Sequence, residues 1–283
     1  MTIPSTQTLF IDVGGSNSKV YRLNSKMEIE LNESKKTPRS ANKLSLLLIS
    51  IASRYKLTKI EIGLPGPIFG GESEIYMPPL GYSIDIFKLK NEFMSLNVFT
   101  EFYNDCTLLH KLAKYMPQKD IFKDSNHNEA IAASICISIG TSFGINGITE
   151  TGSSLSLEMA HIPWFHLNPS MARLGKNVDF FKSKVCDVMN STYLLASLEE
   201  CQEVGEVEYL GQSFCDALLT AAQITASLLG INKFQLIVVT GIYQQIERLL
   251  LEVNIKKAAE ERAKGLTKLS ICPQKHFNIK TSL

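Results

Sequence analysis

Asp12, Gly14, Gly15 and Lys19 have the residue types and spacing needed to handle phosphate. They lie in LFIDVGGSNSKVYRL, residues 9–23, where an apolar run reaches an acid and a Gly14-Gly15-Ser16 turn. Glycines there let backbone N–H groups converge on an anion, Lys19 offers charge, and Asp12 can hold magnesium through water. A second glycine turn follows at residues 140–144, Gly140-Thr141-Ser142-Phe143-Gly144. Phosphoryl transfer to an alcohol also needs a carboxylate that orients and deprotonates the hydroxyl. Asp105 follows an apolar strand and precedes a helix, which puts it at a strand's carboxyl end, where open sheets bind ligands. A simple helix N-cap is the alternative role for it.

Other polar residues fit a hydroxyl-rich substrate. Asn104, beside Asp105, can hydrogen-bond one hydroxyl. Glu158 and His161, three residues apart, share a face if the backbone there is helical or turned, and each can grip another. A surface pair is the bland alternative. Gly66 lies in Gly63-Leu64-Pro65-Gly66-Pro67, a stiff turn able to close on substrate or to serve as an ordinary loop.

The elements that must position these residues follow from the apolar pattern. Thr8 to Leu23 reads as a strand, tight turn and strand, and Met27 to Glu30 as a third strand. Ser40 opens a helix carrying Leu44, Leu47, Leu48 and Ile51 at helical spacing. Ile60 to Leu64 is a strand ended by Pro65-Gly66-Pro67. Ile84 to Phe93 reads as a helix, Val98 to Phe102 as a strand, and Thr107 to Tyr115 as another helix. Pro117 to Glu129 is polar and reads as an exposed connection. Beyond it Ile135 to Thr149 repeats the glycine hairpin. A long helix spans Gln212 to Leu229, with Phe214, Ala217, Leu218, Ala221, Ala222, Thr225 and Leu228 on its buried side and Gly230 as terminator. Phe234 to Val239 reads as a buried strand, Thr240-Gly241 as a turn, and Gln244 to Asn254 as an amphipathic helix. Two glycine hairpins about half the chain apart point to a duplicated α/β fold whose halves face a central interdomain cleft. The expected domains are a small N-terminal one, 1–115, and a larger C-terminal one, 116–283.

Composition narrows the classes. With 283 residues there is length for two cores. A net charge of +1 gives no electrostatic case for nucleic acid or an anionic membrane. No apolar run approaches the roughly 20 residues of a membrane span. The start, Met1-Thr2-Ile3-Pro4-Ser5, lacks a leader's basic and apolar regions. Six scattered cysteines, with no close pair, argue against zinc or a disulfide framework and fit the cytoplasm. Cys136 and Cys215 sit in apolar patterns, as core residues do.

Residues 9–23 resemble the first phosphate motif of the sugar-kinase, Hsp70 and actin superfamily. Asp12-Val13-Gly14-Gly15-Ser16, Gly63-Leu64-Pro65-Gly66-Pro67, Asn104-Asp105, Gly140-Thr141-Ser142-Phe143-Gly144 and Glu158-Met159-Ala160-His161 occur in the order and spacing of the ROK (repressor, ORF, kinase) family. The chain is similar to its glucokinase-like members from residue 8 to about 255. That resemblance implies an actin-like, ribonuclease H-like pair of domains, ATP and magnesium as cofactors, and a hexose or amino sugar phosphorylated at its 6-hydroxyl. It makes Asp105 the general base and Asn104, Glu158 and His161 sugar contacts. Asp12, Gly14, Gly15, Ser16, Lys19, Gly140, Thr141, Ser142 and Gly144 then hold the triphosphate and its metal, and Gly241 lies where the family meets adenosine. It also implies a homodimer.

The chain departs from the family pattern in several places. No cysteine-rich zinc motif follows His161, and Glu199 or Glu200 are the candidates for the sugar-binding glutamate that accompanies it. Ala160 replaces a glycine, Pro79 stands where an asparagine contacts sugar, and Thr240-Gly241-Ile242 is poor in glycine. The chain stops short of the family's last helix. Only seven residues precede Thr8, which is too few for the winged helix of the family's repressors. A sugar-binding sensor or scaffold without catalysis is the alternative function. An acetate-kinase-like or chaperone-like ATPase shares only the hairpins.

Overall fold

The computed structural model describes residues 8–55, 58–68, 73–123, 133–140, 143–157, 191–201 and 204–274. The chain divides into two compact units, with the boundary between Met116 and Pro117.

In the first unit the apolar run Thr8–Val13 forms β1 and turns through Gly14-Gly15 into antiparallel β2 (Asn17–Leu23). β3 (Ile29–Lys36) pairs with the far side of β2 and runs longer than its short apolar stretch suggests. Helix α1 (Ala41–Tyr55) buries Leu44, Leu48, Ile51 and Ala52, a stripe at helical spacing. β4 (Lys59–Leu64) lies parallel to β1 on the side away from β2. A short hairpin, β5 (Glu74–Met77) and β6 (Tyr82–Asp85), precedes α2 (Ile86–Ser95), so the helix read as starting at Ile84 begins two residues later. Asp85 ends the hairpin and caps α2 by accepting from Lys88 N–H at 2.8 Å. β7 (Phe99–Asn104) pairs parallel with β4 and leads directly into α3 (Asp105–Ala113). The sheet order is β3-β2-β1-β4-β7.

Strand alternation divides the two faces of this sheet. Leu9, Ile11, Val13, Ile60, Ile62 and Leu64 join the core made with α1 and α2. Phe10, Asp12, Glu61 and Gly63 therefore face the opposite side, where α3 packs on β4.

The second unit repeats this plan. β9 (Ser134–Ile139) and β10 (Phe143–Ile148) form the second glycine hairpin, and β11 (Ser154–Leu157) extends it. β12 (Phe234–Thr240) is parallel to β9, and β13 (Leu266–Pro273) is parallel to β12. The order β11-β10-β9-β12-β13 matches β3-β2-β1-β4-β7 element for element. One further strand, β8 (Lys119–Lys123), closes the β13 edge within a stretch whose polarity reads as a connection.

The helices of this unit are α4 (Ser191–Glu200), α5 (Val204–Leu229), α6 (Tyr243–Leu251) and α7 (Ile255–Arg262). Phe214, Ala217, Leu218, Ala221, Ala222 and Thr225 of α5 are buried, whereas Leu228 is 63% exposed and leaves the expected stripe. Gly230 ends α5 at φ +66, and Ile231 N–H reaches back to Ala226 O at 2.8 Å. Cys136 and Cys215 are fully buried. Among the described residues no helix is long and apolar enough to cross a membrane.

Candidate active site

Three strand ends of the first unit stand side by side, because β1, β4 and β7 are adjacent and parallel. Asp12 pairs laterally with Gly63, and Gly63 with Tyr103. Asn104 lies one residue beyond, opposite Leu64. Each strand then releases a segment singled out by its residue types: Gly14-Gly15, Pro65-Gly66-Pro67 and Asp105.

Gly63 is what lets α3 settle against the sheet. A Cβ at this position would stand 3.0 Å from Leu108 Cβ and 3.1 Å from Asp105 Cα. The first turn of α3 thus rests directly on the end of β4, one strand over from Asp12. A parallel-strand spacing of about 4.8 Å added to that contact keeps the backbones of Asp12 and Asp105 within roughly 10 Å. Two acids are brought to one end of one sheet face.

Their surroundings differ. Asp12 is 5% exposed. Burial pushes its carboxyl above the ordinary range, and the Lys19 ammonium, opposite it on β2, pulls the other way. Asp105 is half-buried, and its Oδ1 accepts from Cys106 N–H at 2.8 Å. The capping residue is Asn104 rather than Asp105: Asn104 Oδ1 accepts from the same Cys106 N–H at 3.0 Å. Asp105 occupies the first helical position, beside the unpaired backbone donors of the helix start.

Asn104 also ties two loops together. Its Nδ2 donates to Gly66 O at 3.0 Å in a buried contact. A Cβ on Gly66 would stand 2.3 Å from Tyr76 O, so only glycine fits between Asn104 and the β5–β6 hairpin. The tip of that hairpin brings Pro79 close to the first glycine turn, 3.1 Å from where a Gly15 Cβ would be.

The Gly14-Gly15-Ser16 turn is closed by Gly14 N–H donating to Asn17 O at 3.0 Å. Thr37, which its residue type did not single out in the sequence, braces it from behind. The Thr37 hydroxyl donates to Gly14 O at 2.7 Å, and its backbone N–H donates to Ser16 O at 3.0 Å. The only sequence signal for this residue is its place before Pro38, at the end of a polar edge strand.

In the second unit the carboxyl ends of β9 and β12 are neighbours, and Thr240 pairs with Ile139. Gly140 and Gly241 therefore follow adjacent strand ends. Gly140 O accepts from Ser191 N–H at 2.8 Å, which ties the turn to the start of α4. Gly144 lies within β10 opposite Ser138. Thr240 Oγ1 accepts from Ile242 N–H at 3.2 Å and shapes the bend after β12. Glu199 and Glu200 are exposed at the end of α4. Thr141, Ser142, Glu158, His161, Ala160 and the segment after His161 lie outside the described residues.

The donor set bears on a metal. Among the described residues no three acids, histidines or cysteines cluster as a protein-only metal cage. One buried carboxylate at the mouth of a phosphate-type turn suits magnesium, which keeps waters and takes its other ligands from substrate phosphates. The first glycine turn, whose Gly14 and Ser16 carbonyls are held back by Thr37, suits the phosphates themselves.

No family model matches the sequence, and no curated protein matches it. Solved structures do. A glucokinase from an Antarctic psychrotroph is 17% identical, with 95% of each chain covered and a TM-score of 0.63. A ROK family glucokinase from Streptomyces griseus, in complex with glucose and AMPPNP, is 14% identical, with 94% of each chain covered and a TM-score of 0.60. A ROK hexokinase from Thermus thermophilus is 13% identical, with 93% of this chain and 92% of that one covered and a TM-score of 0.57. The chain has the α/β fold of these sugar kinases along nearly its whole length.

Proposed function

We propose that the protein is an ATP-dependent sugar kinase of the glucokinase-like, ROK type, and that Asp105 is its general base. The observation that carries this reading is the convergence of Asp12, Gly14-Gly15, Gly66 and Asn104-Asp105 on the carboxyl ends of three adjacent parallel strands. A fold shared with glucokinases and a hexokinase supports it.

The acceptor is a hexose or amino sugar, phosphorylated at its 6-hydroxyl. The Asp105 carboxylate accepts the hydroxyl proton while the sugar oxygen bonds to the γ-phosphorus and the bond to ADP breaks. Cys106 N–H holds Oδ1 of that carboxylate and so fixes its direction. Gly14, Gly15, Ser16 and Lys19 receive the phosphates, and Gly140, Thr141, Ser142, Gly144 and Gly241 are assigned to the same nucleotide. Asp12 is the residue that would hold a magnesium ion, through water, and the ion would supply charge neutralisation for the leaving phosphate. Asn104, Glu158, His161 and Gly66 are assigned to the sugar.

A panel of hexoses and N-acetylated amino sugars, screened for ADP release, tests the activity. Asp105→Asn is expected to lower turnover by at least the ~10²-fold that a lost general base costs. Near-normal turnover in that variant overturns the assignment of the base. Sugar binding without ADP release from any sugar favours the sensor reading instead.

A further inference from the structure

Thr37 sits at the end of β3, is 2% exposed, and touches the first glycine turn at two points. Its hydroxyl hydrogen goes to Gly14 O at 2.7 Å, so in the 3.0 Å contact with Ser18 Oγ it is the serine that donates. Ser18 is 1% exposed. The chain of donors therefore runs from Ser18 to Thr37 to Gly14 in one direction, shut away from water. The backbone N–H of Thr37 takes the second carbonyl, Ser16 O, at 3.0 Å.

These contacts fix more than the height of the loop. A trans peptide is planar, and its C=O and N–H point in opposite directions. The described bonds include no cis peptide. When Gly14 O is drawn toward Thr37, the N–H of Gly15 in the same peptide plane points away from it. When Ser16 O is drawn the same way, the N–H of Asn17 points away as well. Two backbone donors are thus turned away from Thr37 by one residue behind the turn, and backbone donors held facing an open side can bind an anion.

We infer that Thr37 is the positioning residue of the phosphate turn, setting the direction of the Gly15 and Asn17 N–H groups through its hold on the Gly14 and Ser16 carbonyls. The inference rests on the reading of Gly14-Gly15-Ser16 as a phosphate site. Thr37→Val keeps the shape of the side chain and the backbone contact to Ser16 but strands the buried Gly14 carbonyl. The peptide carrying Gly15 N–H is then free to rotate. Thr37→Ser keeps the hydroxyl.

Titration calorimetry with MgADP and, separately, with the sugar that supports ADP release tests the inference, alongside steady-state kinetics. Thr37→Val is expected to weaken MgADP binding about tenfold and to raise KM for ATP while sugar affinity stays within twofold. Thr37→Ser is expected to bind MgADP within about twofold of wild type. Ser18→Ala, a milder change that leaves Thr37 in place, is expected to weaken MgADP severalfold, and it carries the test if Thr37→Val does not fold. Wild-type MgADP affinity in folded Thr37→Val, or in Ser18→Ala where the valine variant is unfolded, overturns the inference alone. A wild-type protein that binds no MgADP overturns the phosphate reading and the inference together. Equal loss of MgADP and sugar binding shows a general structural role and overturns it too.

Discussion

Gly63 carries no chemistry, yet placing a methyl group there tests the geometry of the whole site. In Gly63→Ala the new Cβ meets Leu108 Cβ at 3.0 Å and Asp105 Cα at 3.1 Å. Carbon atoms prefer about 3.5–4.0 Å, so relief demands a movement of roughly 0.5–1 Å. Leu108 Cδ2, also at 3.0 Å, can swing aside. The Cβ of Leu108 and the Cα of Asp105 cannot, since both are fixed to the backbone of α3. The first turn of the helix must therefore lift from β4 and carry Asp105 with it. A reacting group misplaced by about 1 Å costs on the order of 10²-fold in rate, so turnover is expected to fall about 10- to 100-fold. Overpacking of this size destabilises by about 1–3 kcal/mol. Coupled ADP release gives the rate and thermal unfolding gives the stability. Gly205→Ala is the control: it adds a methyl to the first turn of α5, where nothing lies within 4 Å, and should leave turnover unchanged. If Gly63→Ala stays folded and turns over within twofold of wild type, the packing of α3 on β4 does not set the position of Asp105, the proposed base.

Further outcomes follow from the buried charges. Burial raises the Asp12 carboxyl above its ordinary range, so below that range the proton it holds favours the folded state, and this contribution is lost as pH rises through the folded value. Asp12→Asn does not titrate, so its stability relative to wild type should grow from acid toward neutral pH. At neutral pH without nucleotide it should melt a few degrees higher, about 1 kcal/mol, while binding of MgADP is lost; equal melting differences at pH 4 and pH 7 would refute this. Lys111 of α3 donates to buried Glu61 of β4 at 2.5 Å and to Tyr103 OH at 2.8 Å. Burial opposes the Lys111 charge, but Glu61 and Tyr103 outweigh it and hold the ammonium above the usual lysine range. Lys111→Met leaves Glu61 with the Lys59 ammonium alone, at 2.9 Å, and should cost about 1–3 kcal/mol in urea unfolding. The lower end applies because Lys111 is partly in water. An unchanged urea midpoint would show that the pair does not anchor α3.

Much of this arrangement was legible from the chain because burial forced it to be. β1 and β9 are central strands, so they are largely apolar, and each is followed directly by glycine. The repeat of strand, turn and strand announced the duplicated sheets that the structure contains. Edge strands were harder to read. β3 reads Ile-Glu-Leu-Asn-Glu-Ser-Lys-Lys and β8 reads Lys-Asp-Ile-Phe-Lys, patterns that solvent permits on one side and that resemble loops. The hairpin at 74–85 was hidden because its strands have four residues each, too few to establish a period. Leu228 was placed inside α5 by its spacing, but it lies at the last turn, where the helix has run past its cover. In the candidate site, carboxylates and glycine turns stood out by residue type. Thr37, Ser18 and Glu61 did not, because their roles arise from contacts 19 to 50 residues away along the chain.

The duplication repeats the backbone of the site without repeating its chemistry. Asp12 lies two residues before Gly14, and Ser138 lies two residues before Gly140. Each sits near the carboxyl end of the strand that pairs with both an antiparallel hairpin partner and a parallel neighbour. The lateral partner of Asp12 is Gly63, whereas that of Ser138 is Val239. The first unit thus has an acid and the bare glycine that lets a helix bring a second acid close. At the matching positions the second unit has a hydroxyl and a branched side chain. A glycine turn binds phosphate through backbone donors that are indifferent to this difference, but nearby carboxylates repel a triphosphate unless a cation lies between them. Under the proposed function the turn at Gly14-Gly15, with Asp12 two residues before it, would therefore need a cation between acid and phosphates, whereas the turn at Gly140, preceded by Ser138, would not meet that carboxylate.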